Sequence, residues 1–452
     1  MLPKALEPFV RERPVCVMAQ AALENLFRPE HLDALFDRVA QRQYTRTLLF
    51  SALVHLMLAV VLCVEPSVHA AYRKRKRQVR VSDQAVYDKL DGLEPEVAAA
   101  LVEDAARQAA PVIDALAARR APWLPGYRAR VLDGNHLSAT ERRLEELRTT
   151  WAAALPGKVL AVLDPETGLV TDAFLTPDGH AQERSLLGAV AAAVRPRDLW
   201  IADRNFCTLA FLFGIAGAGA GFVIRQHGTV QGRLRGRRRL VGSGPTGKVY
   251  EQALELTHQG VTRTFRRVTV ELNQPTRDGD WVLHVLTNLP EADADALAVA
   301  RLYGQRWTIE VLFYEVTQTL ACEIDTLAYP RAALFTFCLA LVASNAVAVL
   351  KAALRAAHGE EQADELSGYY LALEIEQAHD GMLVALPPPR WAVFRGMSPE
   401  QLAAALKALA AHVDRARYRK SKRGPKKPPP KRARYQNGGH VSTHKLLTEK
   451  PP

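Results

Sequence analysis

Tyr303, Arg306 and Glu310 stand in the segment YGQRWTIEVLFYE. Their spacing predicts one face of a helix, because residues three, four and seven apart stack over one another. Two further carboxylates lie upstream at the ends of apolar, strand-like runs: Asp133 in RVLDGNHL and Asp203 in DLWIADRNF. Carboxylates converging from separate elements suit divalent metal and phosphoryl transfer. A phosphodiester resists attack because its charge repels nucleophiles. Two divalent ions about 3.5–4 Å apart activate the attacking oxygen and stabilise the leaving one. All-oxygen ligands suit a hard cation, so two Mg2+ ions are expected, with Mn2+ able to substitute. Arg306 and Tyr303 add a guanidinium and a phenol that can contact a phosphate or the leaving strand.

Each residue also has a plainer reading. Asp133 before Gly134 is, taken alone, a common turn pair, and it reads as catalytic only together with Asp203 and Glu310. Trp307 points away from the predicted stripe and reads as a core residue. His136 and His180 stand alone in turns, without partners at ligand spacing, and read as satisfied polar groups. Asp164, Asp172 and Asp178 flank sheet turns. Trp281 reads either as a buried strand residue or as an aromatic on which a base stacks.

The strings RVLDGN, IADRNF and YGQRWTIE occur in an order and at separations that resemble the DDE transposases of the insertion-sequence-four group, over residues 125 to 350. The resemblance implies an α/β, ribonuclease-H-like (retroviral-integrase-like) core with a mixed five-stranded sheet, interrupted by a β-rich insertion. It implies catalytic and metal-binding roles for Asp133, Asp203 and Glu310, and DNA contacts from Tyr303, Arg306, Thr317 and Trp281. It further implies cut-and-paste transposition by strand cleavage and strand transfer. A hairpin intermediate, and a homodimeric synaptic complex holding double-stranded transposon ends and target DNA, are part of the same implication. One position departs from the family pattern. A Lys is expected seven residues after the Glu, and here Thr317 occupies it, keeping the stripe and losing the charge. Two rivals stand beside this reading: an inactive DNA-binding derivative, and a structure-specific nuclease on the same fold.

Composition sets the surroundings. The 452 residues carry a net charge of +11 and 48% hydrophobic content, ample for buried cores. Residues 415–434 hold eleven Lys or Arg and no acid, so the rest of the chain is balanced. Two smaller basic clusters lie at 72–80 and 232–240, and all three suggest a polyanionic partner. Five scattered cysteines without a C-x-x-C pair argue against a disulfide framework. A bacterial cytoplasmic, nucleoid-associated protein is expected, with no membrane partner. The apolar run 48–64 is short for a span and reads as a buried helix. The periodicity predicts a helical domain over 1–124 that serves DNA-end binding or a structural, dimerising role, with 72–80 as a basic connector. The core begins over 125–227, a β-rich insertion follows over 228–290, helices run through 291–413, and a basic disordered tail over 414–452 closes the chain.

Overall fold

The structure is a computed structural model that describes residues 6–43, 47–137, 154–276, 279–324, 327, 329–386, 388–420 and 441–448. Up to residue 115 the described elements are all helices, ending in the long Pro95–Ala115 helix. The apolar run predicted as a buried helix is Phe50–Val61, with ten of its twelve residues buried. The basic cluster expected to be a connector is instead the helix Val68–Val79, capped by Ser67, whose hydroxyl accepts from Ala70 N. Ser82 caps the following helix, Asp83–Gly92, in the same way.

The chain then builds one large sheet. Its strands are β1 (Arg128–Leu137), β3 (Gly157–Asp164), β4 (Leu169–Thr176), β5 (Asp198–Ala202), β6 (Gly221–Arg225), β7 (Arg233–Gly244), β8 (Gly247–His258), β9 (Val261–Leu272) and β10 (Val282–Thr287). A separate short pair joins β2 (Ala154–Leu155) to β11 (Val441–Ser442) in parallel. The order in the large sheet is β4-β3-β1-β5-β6-β10-β9-β8-β7. The sheet therefore has nine strands where five were expected. The first five in that order form a mixed sheet of the kind a ribonuclease-H-like core carries. The residues expected as a separate β insertion extend this sheet, because β10 pairs antiparallel with the otherwise open edge of β6.

Pairing of β1 with β5 positions the chemistry. The two strands run parallel, and their last rung is Leu132 with Ala202. The next residue along each chain segment is an aspartate, Asp133 within β1 and Asp203 just past the end of β5, so seventy residues of sequence separation close to adjacency. Alternation along a strand decides which side they face. Leu132 and Ala202 join one apolar cluster with Trp200, Phe206 and Phe222. Val131 and Ile201, two residues before the aspartates, pack on the opposite side, where Ile309 and Val316 meet the first strand and Val299 and Leu302 meet the second. Asp133 and Asp203 thus share the side on which the Glu310 helix lies.

A 29-residue helix, Pro330–His358, forms the centre of the helical layer, with most of its length buried. Among the described residues it alone is long and apolar enough to cross a membrane, and 83% of its apolar window is buried inside the fold. Asn345 on this helix is 1% exposed and covers the free edge of β4. Its Oδ1 accepts from Val170 N at 2.8 Å and its Nδ2 donates to Val170 O at 2.9 Å. At the C-terminal end, Arg415–Tyr418 form a 3-10 turn and Thr443–Thr448 a short helix, so these parts of the expected disordered tail are ordered. Ser442 donates to Asp178 at 2.7 Å, a second role for an aspartate read as a turn residue. Residues 421–440 lie outside the described residues.

Candidate active site

The residues YGQRWTIE do not lie on one unbroken helix. Tyr303 ends the helix Ala296–Gly304, and Glu310 lies in the first turn of Trp307–Thr319. Between them the backbone tightens: Arg306 N bonds Tyr303 O at 3.1 Å, and Ile309 N bonds Arg306 O at 3.2 Å, both three residues back. Gly304, a poor helix former, sits at the break. The tighter turn still keeps the three side chains together, and they meet the two strand aspartates.

Arg306 is the hub. Its Nη1 donates to Asp133 Oδ2 at 2.9 Å and its Nη2 to Glu310 Oε1 at 2.6 Å. The Tyr303 hydroxyl donates to Asp203 Oδ1 at 3.3 Å. The Arg306 side chain is only 9% exposed, against 19% for Asp133 and 34% for Glu310. Burial pushes the Asp133 carboxyl up to about 6, aided by Glu310 and Asp203, while Arg306 and the Gly134 N–H pull it back down. Burial opposes the charge on Arg306, yet Asp133, Tyr303, Asp203 and Glu310 together hold the guanidinium above its ordinary value. Burial, then Asp203, pushes the Tyr303 phenol up to about 12, so it acts as a hydrogen-bond donor.

The carboxylates therefore converge on one network, with a cation between two of them. Among the described residues no group of three His, Cys, Asp or Glu side chains lies together at metal-holding distance. The Arg306 guanidinium stands between Asp133 and Glu310. The donor set itself, three carboxylates on separate elements, suits a hard divalent cation.

Other expected residues fall as follows. Trp281 precedes β10 and is 58% exposed, not buried. Its neighbour Asp280 accepts from Arg225 Nη2 at 2.5 Å and lies 3.8 Å from Arg204 Nη1. Asp203 and Tyr303 act electrostatically on Arg225, so this end of the insertion borders the site. Trp307, read as core, is 59% exposed, because the outer face of its helix carries no covering element among the described residues. Thr317 is exposed, and its hydroxyl donates to Tyr314 O at 3.2 Å. His180 N bonds Asp178 Oδ1, as a turn residue would, while the His136 side chain lies outside the described residues. The sequence reading missed Arg204, Arg225 and Asp280. Arg204 follows directly on Asp203, which was a usable signal, whereas Arg225 and Asp280 are linked only through the fold. It also missed Glu183: a Cβ at Gly134 would fall 2.5 Å from Glu183 Oε1, so that carboxylate lies against the residue that follows Asp133. A cavity of about 430 Å³ lies on another side of the same helix, lined by Val311, Glu315, Lys351 and Arg355, and it contains none of the three acids.

Fold and site together define a mixed α/β protein in which Asp133 within β1 and Asp203 just after β5 lie where the parallel pairing of the two strands ends, beside a helical Glu310. Residues 124–346 match the family described as the transposase DDE domain, and this match supports a DDE transposase. No curated protein matches the chain. Among solved structures, the chain is similar to the piggyBac transposase in a cryo-EM structure of its synaptic complex with hairpin DNA. The identity is 10%, the alignment covers 88% of this chain and 85% of that chain, and the TM-score is 0.40.

Proposed function

We propose that the protein is a cut-and-paste DNA transposase of the insertion-sequence-four type. On this reading it cleaves DNA at transposon ends and joins them to target DNA in the bacterial cytoplasm, working as a dimer on two ends with a hairpin intermediate. The observation that carries the proposal is the single network joining Asp133, Glu310 and Arg306, with Asp203 held beside it by Tyr303. Asp133, Asp203 and Glu310 are the residues that would hold Mg2+. When bound, the metal supplies activation of the attacking oxygen and charge stabilisation for the leaving one. Arg306 balances the acidic cluster in its absence, and its planar fork matches phosphate as well as carboxylate. The Tyr303 hydroxyl donates to Asp203 and fixes that carboxylate's orientation. Trp281, exposed at the border of the site, suits stacking on an unpaired base.

The test uses end-containing duplex DNA with Mg2+ or Mn2+. Asp133→Asn, Asp203→Asn and Glu310→Gln should each abolish strand cleavage and leave end binding largely intact. The same variants should lose the rise in melting temperature that divalent metal gives the parent protein. Normal cleavage by any one variant removes that residue from the essential set. Cleavage without joined products points to a nuclease, and binding without cleavage in the parent protein to a DNA-binding derivative.

A further inference from the structure

The sequence carries three basic clusters and ranks none of them. The fold separates them. In the 232–240 cluster on β7, three of the five arginines are paired with acids of β8, β9 and the segment after β10: Arg235 with Glu255 at 2.8 Å, Arg238 with Glu271 at 2.5 Å, and Arg239 with Glu251 at 3.1 Å and Glu291 at 2.9 Å. Most of the 415–434 cluster lies outside the described residues. The 72–80 cluster is different. It forms the helix Val68–Val79 and its αL cap, Arg80.

This helix has two unlike faces. Val68, Ala71, Tyr72 and Val79 are buried in the helical domain, and the Tyr72 hydroxyl donates to Val81 O at 2.8 Å, tying the helix to the turn that follows. On the opposite face Arg73, Lys76, Arg77 and Arg80 fall at intervals of three and four residues, which is one stripe of a helix. All four are exposed, and among the described residues none of their side chains forms an ion pair or hydrogen bond. Lys74 and Arg75, off the stripe, are engaged by Glu65 at 2.9 and 3.9 Å. His69 at the head of the stripe lies 3.6 Å from Asp83. The fold therefore neutralises the cations beside the stripe and leaves the stripe itself uncompensated.

We propose that this stripe docks the helical domain on the phosphate backbone of duplex DNA. Arg73 to Arg80 spans about 10 Å at 1.5 Å per residue. Duplex DNA presents one negative charge per about 1.7 Å of axis, roughly six charges over that length, so each cation can meet a phosphate. An anionic membrane is a poorer match. A helix lying in a lipid interface presents large apolar side chains beside its cations, and here the apolar face is buried in the protein. The stripe reads phosphate and carries no base specificity of its own. This inference rests on the transposase reading for its choice of partner, but its test does not depend on cleavage.

The experiment compares the full-length protein with the variant R73Q/K76Q/R77Q for binding to duplex DNA over a range of salt concentrations, without divalent metal. Each lost phosphate contact flattens the negative slope of log affinity against log salt by about 0.9, so loss of three should flatten it by roughly 2.7. The conservative variant R73K/R77K should keep most of the slope, and K74Q, which removes a paired cation, should change it little. Unchanged slopes in the triple variant, with an unchanged melting temperature, would overturn the proposal. So would a selective loss of binding to vesicles of anionic phospholipid with duplex binding intact. If the slope flattens as expected but no variant or parent cleaves DNA, the docking surface stands and the catalytic reading fails.

Discussion

Replacing Arg306 by Gln should destabilise the metal-free protein, and the loss should grow with pH. Arg306 bridges Asp133 at 2.9 Å and Glu310 at 2.6 Å with 9% of its side chain exposed. Breaking a fully buried pair from one side costs about 3–5 kcal/mol. Asp133 and Glu310 retain some access to water, and burial of the guanidinium is relieved in the variant, so about 2–3 kcal/mol is expected at pH 8. The pH dependence follows from Asp133. Its folded value is already pushed from 3.8 to about 6, chiefly by burial. A carboxyl raised in the folded state stabilises below its unfolded value, and that contribution is lost as pH rises through the folded one. Loss of Arg306 removes the main group pulling Asp133 down, so its folded value rises further. Parent and variant then differ least at pH 5, where Asp133 is largely protonated in both folded proteins and only the Glu310 bond is lost. They diverge above about 6, where only the parent ionises without further penalty. Urea denaturation at pH 5 and pH 8, with chelator present, reads the difference directly. Adding Asp133→Asn to the variant should recover part of the loss at pH 8. Equal destabilisation at the two pH values, or none at pH 8, would refute the coupling between the two residues.

Two further outcomes are expected. Thr317→Lys should tighten transposon-end binding or speed single-turnover cleavage by about tenfold, as a charged hydrogen bond contributes roughly 1.5–3 kcal/mol, without altering the metal requirement; no gain in either assay would mean that another cation serves that phosphate or that the DNA takes another path. Asn345→Ala should cost about 2–4 kcal/mol in urea denaturation, because it orphans both the N–H and the C=O of Val170 at a covered sheet edge, and a loss under about 0.5 kcal/mol would show that water replaces the amide there.

Residue types and order made much of this protein legible. Apolar runs of strand length that end in Asp133 and Asp203 follow from the alternation and composition of RVLDGNHL and DLWIADRNF, which are local properties. The helical domain, the buried Phe50–Val61 helix and the Ser82 cap were readable for the same reason: periodicity and capping act within a few residues. The adjacency of Asp133 and Asp203 was legible only through the expected strand order, and the register that makes Leu132 with Ala202 the last rung belongs to the sheet. Other features were beyond local reading. Whether Arg306 faces phosphate or carboxylate depends on which acids are buried with it, and that is set by the packing of two helices on two strands. Exposure of Trp307 and Trp281 depends on what covers them, which no single segment encodes. The extension from five strands to nine required β10 to find the open edge of β6, a contact between residues about sixty positions apart. The three basic clusters looked alike in sequence, because charge is local; their pairing is not. Only the fold placed Glu251, Glu255 and Glu271 against the arginines of β7 and left the stripe from Arg73 to Arg80 uncompensated.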